Sequence, residues 1–216
     1  MKCEAFMDNM PQSVFTDMQW STRLFNEQVW PLISPILGGG SLLQMEGRPD
    51  VELARILDMN AGIDGWHVHN IGMRGIASRI QITKDPFDTF TIRMSRDSGA
   101  STEFEKRSVA IDGKKHGWIY PALTVQAYAA SENGPILSCG VGRTSEIIEF
   151  IKRDLHGENR TTNAVFAVCS WRSMKRHGYE VKILKPDAAT PGLSLVKGKY
   201  QARNQQFHAT ACAAGQ

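Results

Sequence analysis

Three polar side chains suited to binding an anion fall on one face of two consecutive strand-like segments. Residues 76–83 and 90–96 alternate between apolar and polar positions, which is typical of strands with two unlike faces. The alternation places Arg79 and Gln81 on the polar face of the first segment and Arg93 on that of the second. Because guanidinium groups bind phosphate through charge-assisted hydrogen bonds, the pattern predicts a site for an anion such as phosphate. The alternative is that this face is solvent-exposed or paired with carboxylates of neighbouring helices.

Two histidines, His67 and His69, lie on one face of another strand-like segment, residues 63–69. Imidazole pairs with this geometry bind metals in proteins. No third ligand is apparent, and Asp64 has the opposite parity along the strand. A metal site at this pair is therefore the less favoured interpretation.

Positive charge is concentrated in the C-terminal third of a chain whose formal net charge is only +3. Clustered cations neutralise phosphates, so this region is a candidate nucleic-acid surface, with a solvated basic face as the alternative. The cluster comprises Lys152, Arg153, Arg160, Arg172, Lys175, Arg176 and Lys182, with Trp171 and Tyr179 among them. Of these, Arg172, Lys175 and Arg176 are the predicted phosphate contacts.

The elements that carry these residues belong to an ordinary globular chain. Its 216 residues are enough to bury a core without disulfides. The four cysteines are scattered with no CxxC pair, which favours a reducing compartment, and no signal peptide is apparent; we expect a cytoplasmic protein. The longest apolar stretch, residues 29–37, is broken by prolines and is too short to span a bilayer, so no membrane association is expected.

The chain divides into three predicted segments. Residues 1–46 form an N-terminal helical arm, because apolar residues recur at helical spacing until three glycines, residues 38–40, end the pattern. The arm is expected to cover the sheet or, alternatively, to contact a protein partner or a second copy of the chain. Residues 47–198 form an α+β core domain, and residues 199–216 form a polar C-terminal tail.

The core domain is predicted to contain a helix from Asp50, three strands joined by short connections, a second helix and further strands. Short connections favour an antiparallel meander for the first three strands. The later elements are a hairpin (123–129 and 135–142), a helix capped by Thr144 or Ser145, and strands at 164–171 and 179–184. We therefore predict an α+β fold with a central mixed, mostly antiparallel sheet flanked by helices.

The second helix has a recognisable N-terminus. Thr102 and Glu105 have the spacing of a capping box, in which each side chain bonds to the other residue's backbone N–H, and the helix is expected to end near Ile111. This leaves Glu103 free, and we expect Glu103 to form an ion pair with Arg93.

The order helix, strand, strand, strand, helix, strand over residues 50–129 resembles the αβββαβ core of the PD-(D/E)XK nucleases. The sequence Ala61-Gly62-Ile63-Asp64 is similar to the aspartate-bearing first motif of that superfamily. The resemblance implies that Asp64 and Gln81 bind Mg²⁺, with Glu52 as an additional ligand. It further implies metal-dependent hydrolysis of DNA, in which the metal polarises the phosphate and lowers the pKa of the attacking water.

The second motif of that superfamily, an acid, any residue and a lysine, is incomplete in this chain. Gln81-Ile82-Thr83 stands at the matching place, and Lys84 comes one position late, where only a β-bulge would return it to the site. The resemblance therefore implies that Lys84 or Lys106 replaces the missing lysine while Arg79 and Arg93 hold the phosphate. The alternative is a catalytically inactive module of the same fold that binds nucleic acid or a protein partner.

Overall fold

The computed structural model describes residues 19–45, 57, 61–114 and 118–185. The predicted helix from Asp50, which carries Glu52, and the predicted tail at 199–216 lie outside the described residues. The strands are β1 (Ser41–Gln44), β2 (Gly65–His69), β3 (Gly72–Ile82), β4 (Thr89–Arg96), β5 (Leu123–Ala129), β6 (Ile136–Arg143), β7 (Gly157–Arg160), β8 (Ala164–Ser170) and β9 (Val181–Leu184). The α-helices are α1 (Trp30–Ile33), α2 (Glu103–Ile111), α3 (Thr144–Lys152) and α4 (Trp171–Arg176).

The strands form two sheets. The large sheet has the order β1-β2-β3-β5-β6-β9, and the small sheet has the order β4-β8-β7. Among the described strands, β3 and β5 are parallel and the other pairs are antiparallel. The predicted fold class, α+β with a mixed and mostly antiparallel sheet, is confirmed.

The predicted meander is correct for its first two strands and wrong for the third. β2 and β3 pair as an antiparallel hairpin, but β4 leaves the large sheet and pairs with β8, where Phe90 lies opposite Cys169. Alternation identifies the faces of a strand but not its partners. β4 joins β8 because its apolar face, with Phe90 and Ile92 almost completely buried, belongs to a second core shared with α3 and α4.

The helical segment before β1 packs on one face of the large sheet. Residues 19–24 are helical, followed by a π-helical turn (Phe25–Val29), α1 and a 3-10 turn (Pro35–Leu37). Its buried side chains, including Val29 and Ile33, meet the alternate residues of β5 that face the same side. The described part of the predicted arm therefore covers the sheet of its own chain.

The opposite face of the large sheet packs against α3, α4 and the small sheet. Its largest fully buried aromatic residues are Trp171, Tyr128, Phe90 and Phe150. The indole of Trp171 lies directly on the backbone of Gly140 in β6, and a Cβ atom at Gly140 would be only 2.3 Å from Trp171 Cε2. The glycine is therefore part of the packing of this core, since any side chain there would displace the indole.

The two predicted helix starts have different outcomes. The capping box of α2 is confirmed: Thr102 Oγ1 accepts from the Glu105 N–H at 3.3 Å, and Glu105 Oε2 accepts from the Thr102 N–H at 2.8 Å. The predicted cap of α3 is wrong, because its N-cap is Arg143, which makes no side-chain capping bond. The hydroxyl of Thr144 bonds instead to that of Thr124 in β5, at 2.8 Å.

No helix in the described part of the chain is both long and apolar enough to cross a membrane.

Candidate functional site

A cavity of about 900 Å³ lies where the large sheet, the small sheet and α2 meet. We call it the arginine cavity. Five residues singled out from the sequence line it: Asp64, Arg79, Gln81, Arg93 and Lys106. The side chains of Arg96, Glu103, Arg107, Gln126 and Phe166 also contribute to the lining. The structure thus brings five of the ten predicted site residues to one place.

Arg79 is held rigidly at the wall of this cavity. It projects from β3, where Arg79 Nη1 donates to Thr91 O at 3.2 Å and to Thr91 Oγ1 at 3.0 Å, and Arg79 Nη2 donates to Glu103 Oε1 at 2.7 Å. The guanidinium carbons of Arg79 and Arg93 lie 5.7 and 5.2 Å from the centre of the Phe166 ring. Cation–π contact restrains both arginines, and hydrogen bonds fix Arg79 further, so binding costs less side-chain entropy.

Glu103 sits among three arginines, and its pairing differs from the prediction. Its carboxylate forms an ion pair with Arg79 rather than with the Arg93 side chain, and Arg107 Nη1 lies 3.9 Å from its second oxygen. Burial by itself would raise the pKa of Glu103. The charges of Arg79, Arg107 and Arg93, with a hydrogen bond from the Arg93 backbone, outweigh burial and lower that pKa below its ordinary value.

The lowered pKa of Glu103 predicts an acid-dependent contribution to stability. Because the unfolded chain binds a proton at Glu103 more readily than the folded chain, this contribution is present above the ordinary pKa of 4.5 and is lost as the pH falls through the lower folded value. We expect Glu103→Gln to reduce the free energy of unfolding by about 2 kcal/mol at neutral pH, because the charge-assisted bond to Arg79 is lost. The difference from the wild type should shrink below pH 4.5.

Urea unfolding of both proteins across this pH range measures the effect. The matched control is Glu132→Gln, which removes an exposed carboxylate at the turn between β5 and β6. A difference between wild type and Glu103→Gln that stays constant with pH would contradict the electrostatic explanation.

Three buried donors in the cavity lining have no hydrogen-bond partner within the part of the chain that the structure describes. They are Arg93 Nε, Arg107 Nη1 and Gln126 Nε2. Arg107 is only 5% exposed and Gln126 only 1% exposed. A buried donor without a partner costs about 1–3 kcal/mol. These three atoms have almost no accessible surface, so a ligand in the cavity does not reach them as they stand.

The orientation of the Gln126 amide follows from its neighbour. The Thr91 hydroxyl accepts a hydrogen bond from Arg79 and donates its own proton to Gln126 Oε1 at 3.2 Å. The amide oxygen is therefore occupied, and the amide nitrogen is left as the unpartnered donor. A chain of contacts from Glu103 through Arg79 and Thr91 thus fixes Gln126 as a hydrogen-bond donor.

The described side chains that line the cavity carry more positive than negative charge. Among the described lining residues, five are cationic and two are carboxylates: Arg79, Arg93, Arg96, Lys106 and Arg107 against Asp64 and Glu103. Burial lowers the pKa of Arg107, an effect that the nearby charges of Glu103 and Asp64 oppose. This set of side chains favours an anionic ligand.

The predicted magnesium ligands do not converge in the described residues. Asp64 Oδ2 accepts hydrogen bonds from the backbone N–H and the hydroxyl of Ser78. Gln81 lies three residues farther along β3, about 10 Å at the usual rise of a strand, and on its opposite face. No group of three or more His, Cys, Asp or Glu side chains suited to a metal occurs in the described segments. Glu52 lies outside those segments, so the expected Mg²⁺ site stays a prediction.

The two lysines expected to replace the missing catalytic lysine lie in different places. Lys84 follows the end of β3, is exposed and does not line the cavity, so the bulge that would return it to the site is not formed. Lys106, on α2, does line the cavity. Of the two candidates, Lys106 alone is placed to contact a ligand there.

The histidine pair has a structural role. The two rings share one face of β2, as predicted, with His67 Nε2 2.7 Å from Gly39 O and His69 Nε2 2.9 Å from Gly38 O. The second nitrogen of His67 accepts from Arg74 at 3.3 Å. The rings therefore hold the glycine turn before β1 against the sheet, and both ring nitrogens of His67 are already occupied.

Three of the seven basic residues named in the C-terminal third are paired with carboxylates. Lys152 contacts Asp112 at 2.6 Å, Arg160 contacts Glu158 at 2.9 Å, and Lys182 contacts Glu180 at 2.8 Å. The predicted phosphate contacts of this region, Arg172, Lys175 and Arg176, are exposed on α4 and do not line the arginine cavity. The structure thus separates them from the other candidate residues.

Arg96, Arg107, Gln126 and Phe166 line the cavity but were missed in the sequence. Arg107 stands four residues after Glu103 on α2, the spacing at which helical side chains meet. Gln126 is a polar residue in the middle of β5, all of whose residues are buried. Both features were visible signals, since a polar group in a buried strand requires a partner.

Among known proteins, no family model, no curated protein and no solved structure matches this chain.

Proposed function

We propose that this protein is a nucleic-acid-binding module that holds a phosphate group in the arginine cavity. The observation that carries the proposal is the group of cationic side chains among the described lining residues, Arg79, Arg93, Arg96, Lys106 and Arg107, which outnumber the carboxylates Asp64 and Glu103. A phosphate group offers acceptors and negative charge but no obligatory donor, which complements this lining.

The size and walls of the cavity support a nucleotide unit as the ligand. Small-molecule sites have volumes of roughly 300–1,000 Å³, and the arginine cavity, at about 900 Å³, is at the upper end. It can therefore hold a phosphate together with the sugar and base attached to it. Phe166 and Ile80 add apolar surface to the lining, against which a base can pack.

Salt-dependent binding tests this proposal. We expect fluorescently labelled single-stranded oligonucleotides to bind with an affinity that falls as salt rises, with a log–log slope of about −2, because roughly three phosphate contacts release counterions. Fluorescence anisotropy over a salt series measures the slope, and a labelled uncharged polymer of similar length is the control. Oligonucleotide binding that is absent at low salt, or insensitive to salt, would contradict the proposal.

A second candidate is metal-dependent hydrolysis of DNA by a PD-(D/E)XK-like fold. It is favoured by one feature of the topology: β1, β2 and β3 form an antiparallel meander, and β5 returns parallel to β3 after α2. This is the strand, strand, strand, helix, strand order of that core. It begins one strand earlier in the chain than expected, and β4 is an additional strand that pairs in the second sheet. Asp64, Gln81 and Lys106 line the cavity as well.

Calorimetric titration of Mg²⁺ and Mn²⁺ into wild type and Asp64→Ala separates the two candidates. Binding that disappears in the variant supports the hydrolase, and DNA cleavage assays follow. Absence of binding in both proteins, with oligonucleotide binding intact, leaves the non-catalytic module.

A further inference from the structure

A β-bulge in β4 places two arginines on one face of the small sheet. Arg93 lies opposite Phe166 in β8, and after a shift of register Arg96 lies opposite Ala164. Residues three apart in a regular strand point to opposite faces. The bulge removes this difference, because the two partners in β8 are two residues apart and therefore share a face. Arg93 and Arg96 thus start about 7 Å apart on the same face, at the usual rise of a strand.

This face of the small sheet borders the arginine cavity, and its residues have surface that solvent reaches. Arg93, Arg96 and Phe166 all line the cavity. Arg96 is exposed, and Arg93 and Phe166 are half-buried. Asn159 of β7, which lies opposite Phe166 on its other side, continues the row and also lines the cavity. A ligand that enters the cavity therefore meets accessible side chains along this row.

Arg93 and Arg96 have no carboxylate partner among the described residues. The carboxylate of Glu103 forms its ion pairs with Arg79 and Arg107 instead. Burial lowers the pKa of Arg93, and the charge of Glu103 opposes that effect; the charges of the neighbouring arginines, Arg96 before Arg79, lower that pKa further. The two arginines on the shared face therefore repel each other, and an anion bound beside both relieves the repulsion. A phosphate group accepts hydrogen bonds from two guanidinium groups at once and meets this requirement.

Phe166 supplies an aromatic surface beside this pair of charges. The guanidinium carbons of Arg79 and Arg93 lie 5.7 and 5.2 Å from the centre of its ring, so planar cationic groups adjoin the ring. Nucleic-acid bases stack on aromatic rings and on guanidinium groups, and a base offers its face to a side chain when it is unstacked from its neighbours. The row therefore combines a contact for a phosphate with a contact for an unpaired base.

We propose that the arginine cavity selects single-stranded nucleic acid, with one backbone phosphate bound at Arg93 and Arg96 and the adjoining base packed against Phe166. A duplex carries the same phosphates, but its bases are paired and stacked on one another and do not reach Phe166. The inference rests on the proposed function, because it specifies which form of nucleic acid the cavity binds.

The first test compares one labelled sequence as a single strand, as a duplex and as a single strand with abasic sites in place of its bases. We expect the intact single strand to bind about tenfold more tightly than the other two, because stacking of one base on an aromatic side chain accounts for a factor of that size. Fluorescence anisotropy at fixed salt measures the three affinities.

The outcomes of this comparison separate the inference from the proposed function. A duplex that bound as tightly as the single strand, or more tightly, would overturn the selection of single strands and leave nucleic-acid binding intact. An abasic strand that bound as tightly as the intact strand would overturn the base contact. Failure of every form to bind would overturn both proposals.

Arg96→Gln tests the phosphate contact at an exposed position. We expect single-strand binding to weaken about fivefold and the log–log salt slope to become shallower by about 0.7, because one phosphate contact is lost. The matched control is Arg160→Gln, which removes an exposed arginine from the opposite face of the same sheet and should leave both quantities unchanged. A wild-type affinity and slope in Arg96→Gln would overturn the phosphate site.

Phe166→Leu tests the base contact while keeping an apolar side chain. We expect the variant to bind the intact strand more weakly and the abasic strand as the wild type does, a difference that general unfolding would not produce. Thermal unfolding confirms that the variant folds. Equal losses for the intact and abasic strands in the folded variant would overturn the role of Phe166.

Discussion

Replacing Arg107 with glutamine is expected to weaken oligonucleotide binding by about 100-fold. The guanidinium of Arg107 is almost completely buried, its residue lines the cavity, and its Nη1 lies 3.9 Å from Glu103 Oε2. Removing one side of a buried, charge-assisted contact with a ligand costs about 2–5 kcal/mol, and about 2.7 kcal/mol corresponds to two orders of magnitude in Kd. Fluorescence anisotropy at fixed salt measures the loss.

Two further variants make this measurement specific. Arg107→Lys keeps the positive charge but loses the planar, forked donor, so we expect an intermediate affinity. Arg172→Gln removes the same charge from the exposed face of α4 and is the matched control, with an expected change of less than about twofold. If Arg172→Gln weakened binding as much as Arg107→Gln, the basic helix rather than the cavity would be the contact surface.

Replacing Gly140 with alanine is expected to lower the free energy of unfolding by about 3 kcal/mol. The new Cβ atom would lie 2.3 Å from Trp171 Cε2 and 2.5 Å from Trp171 Cζ2, so the indole must move within a core that is already closely packed. Trp171 itself has no exposed surface and contacts the rings of Phe90 and Tyr128, which leaves little room for that movement. Chemical denaturation of the two proteins measures the loss.

The matched control for Gly140 is Gly157→Ala in β7. A Cβ atom there meets only Val168 O at 3.9 Å, an ordinary contact, and we expect a change within about 0.5 kcal/mol. Combining Gly140→Ala with Trp171→Leu should recover part of the stability relative to the sum of the two single changes, because the smaller side chain removes the clash. Additive losses in the double variant would show that the destabilisation does not arise from this contact.

Local patterns predicted the elements of this fold better than their partners. The alternation of β3 and β4 and the capping box of α2 depend on neighbouring residues alone, and all three elements form as expected. Pairing depends on residues far apart in the chain: β4 finds β8, and β5 returns parallel to β3. Nothing in a short connection shows that the chain crosses to another sheet, which explains why the third strand of the meander was misassigned.

The same distinction applies to the candidate site. Arg79 and Arg93 were identified by alternation because each stands on the polar face of its own strand. Their actual neighbours, Arg107 from α2 and Gln126 from β5, join them only when the two sheets pack together. The choice of Arg79 over Arg93 as the partner of Glu103 is likewise fixed by tertiary packing, since both arginines have suitable charge.

Because β4 pairs in the second sheet, we expect the site to form late in folding. The chain leaves β3, forms β4 and α2, and returns as β5, but β4 finds its partner only when β8 is present, with Phe90 opposite Cys169. Contacts between such distant residues form slowly, because closing the intervening loop costs conformational entropy before the contacts stabilise the chain. During synthesis on the ribosome, the cavity cannot close until the chain beyond Phe166 has emerged. A nascent chain truncated before β8 therefore has Arg79 but no site.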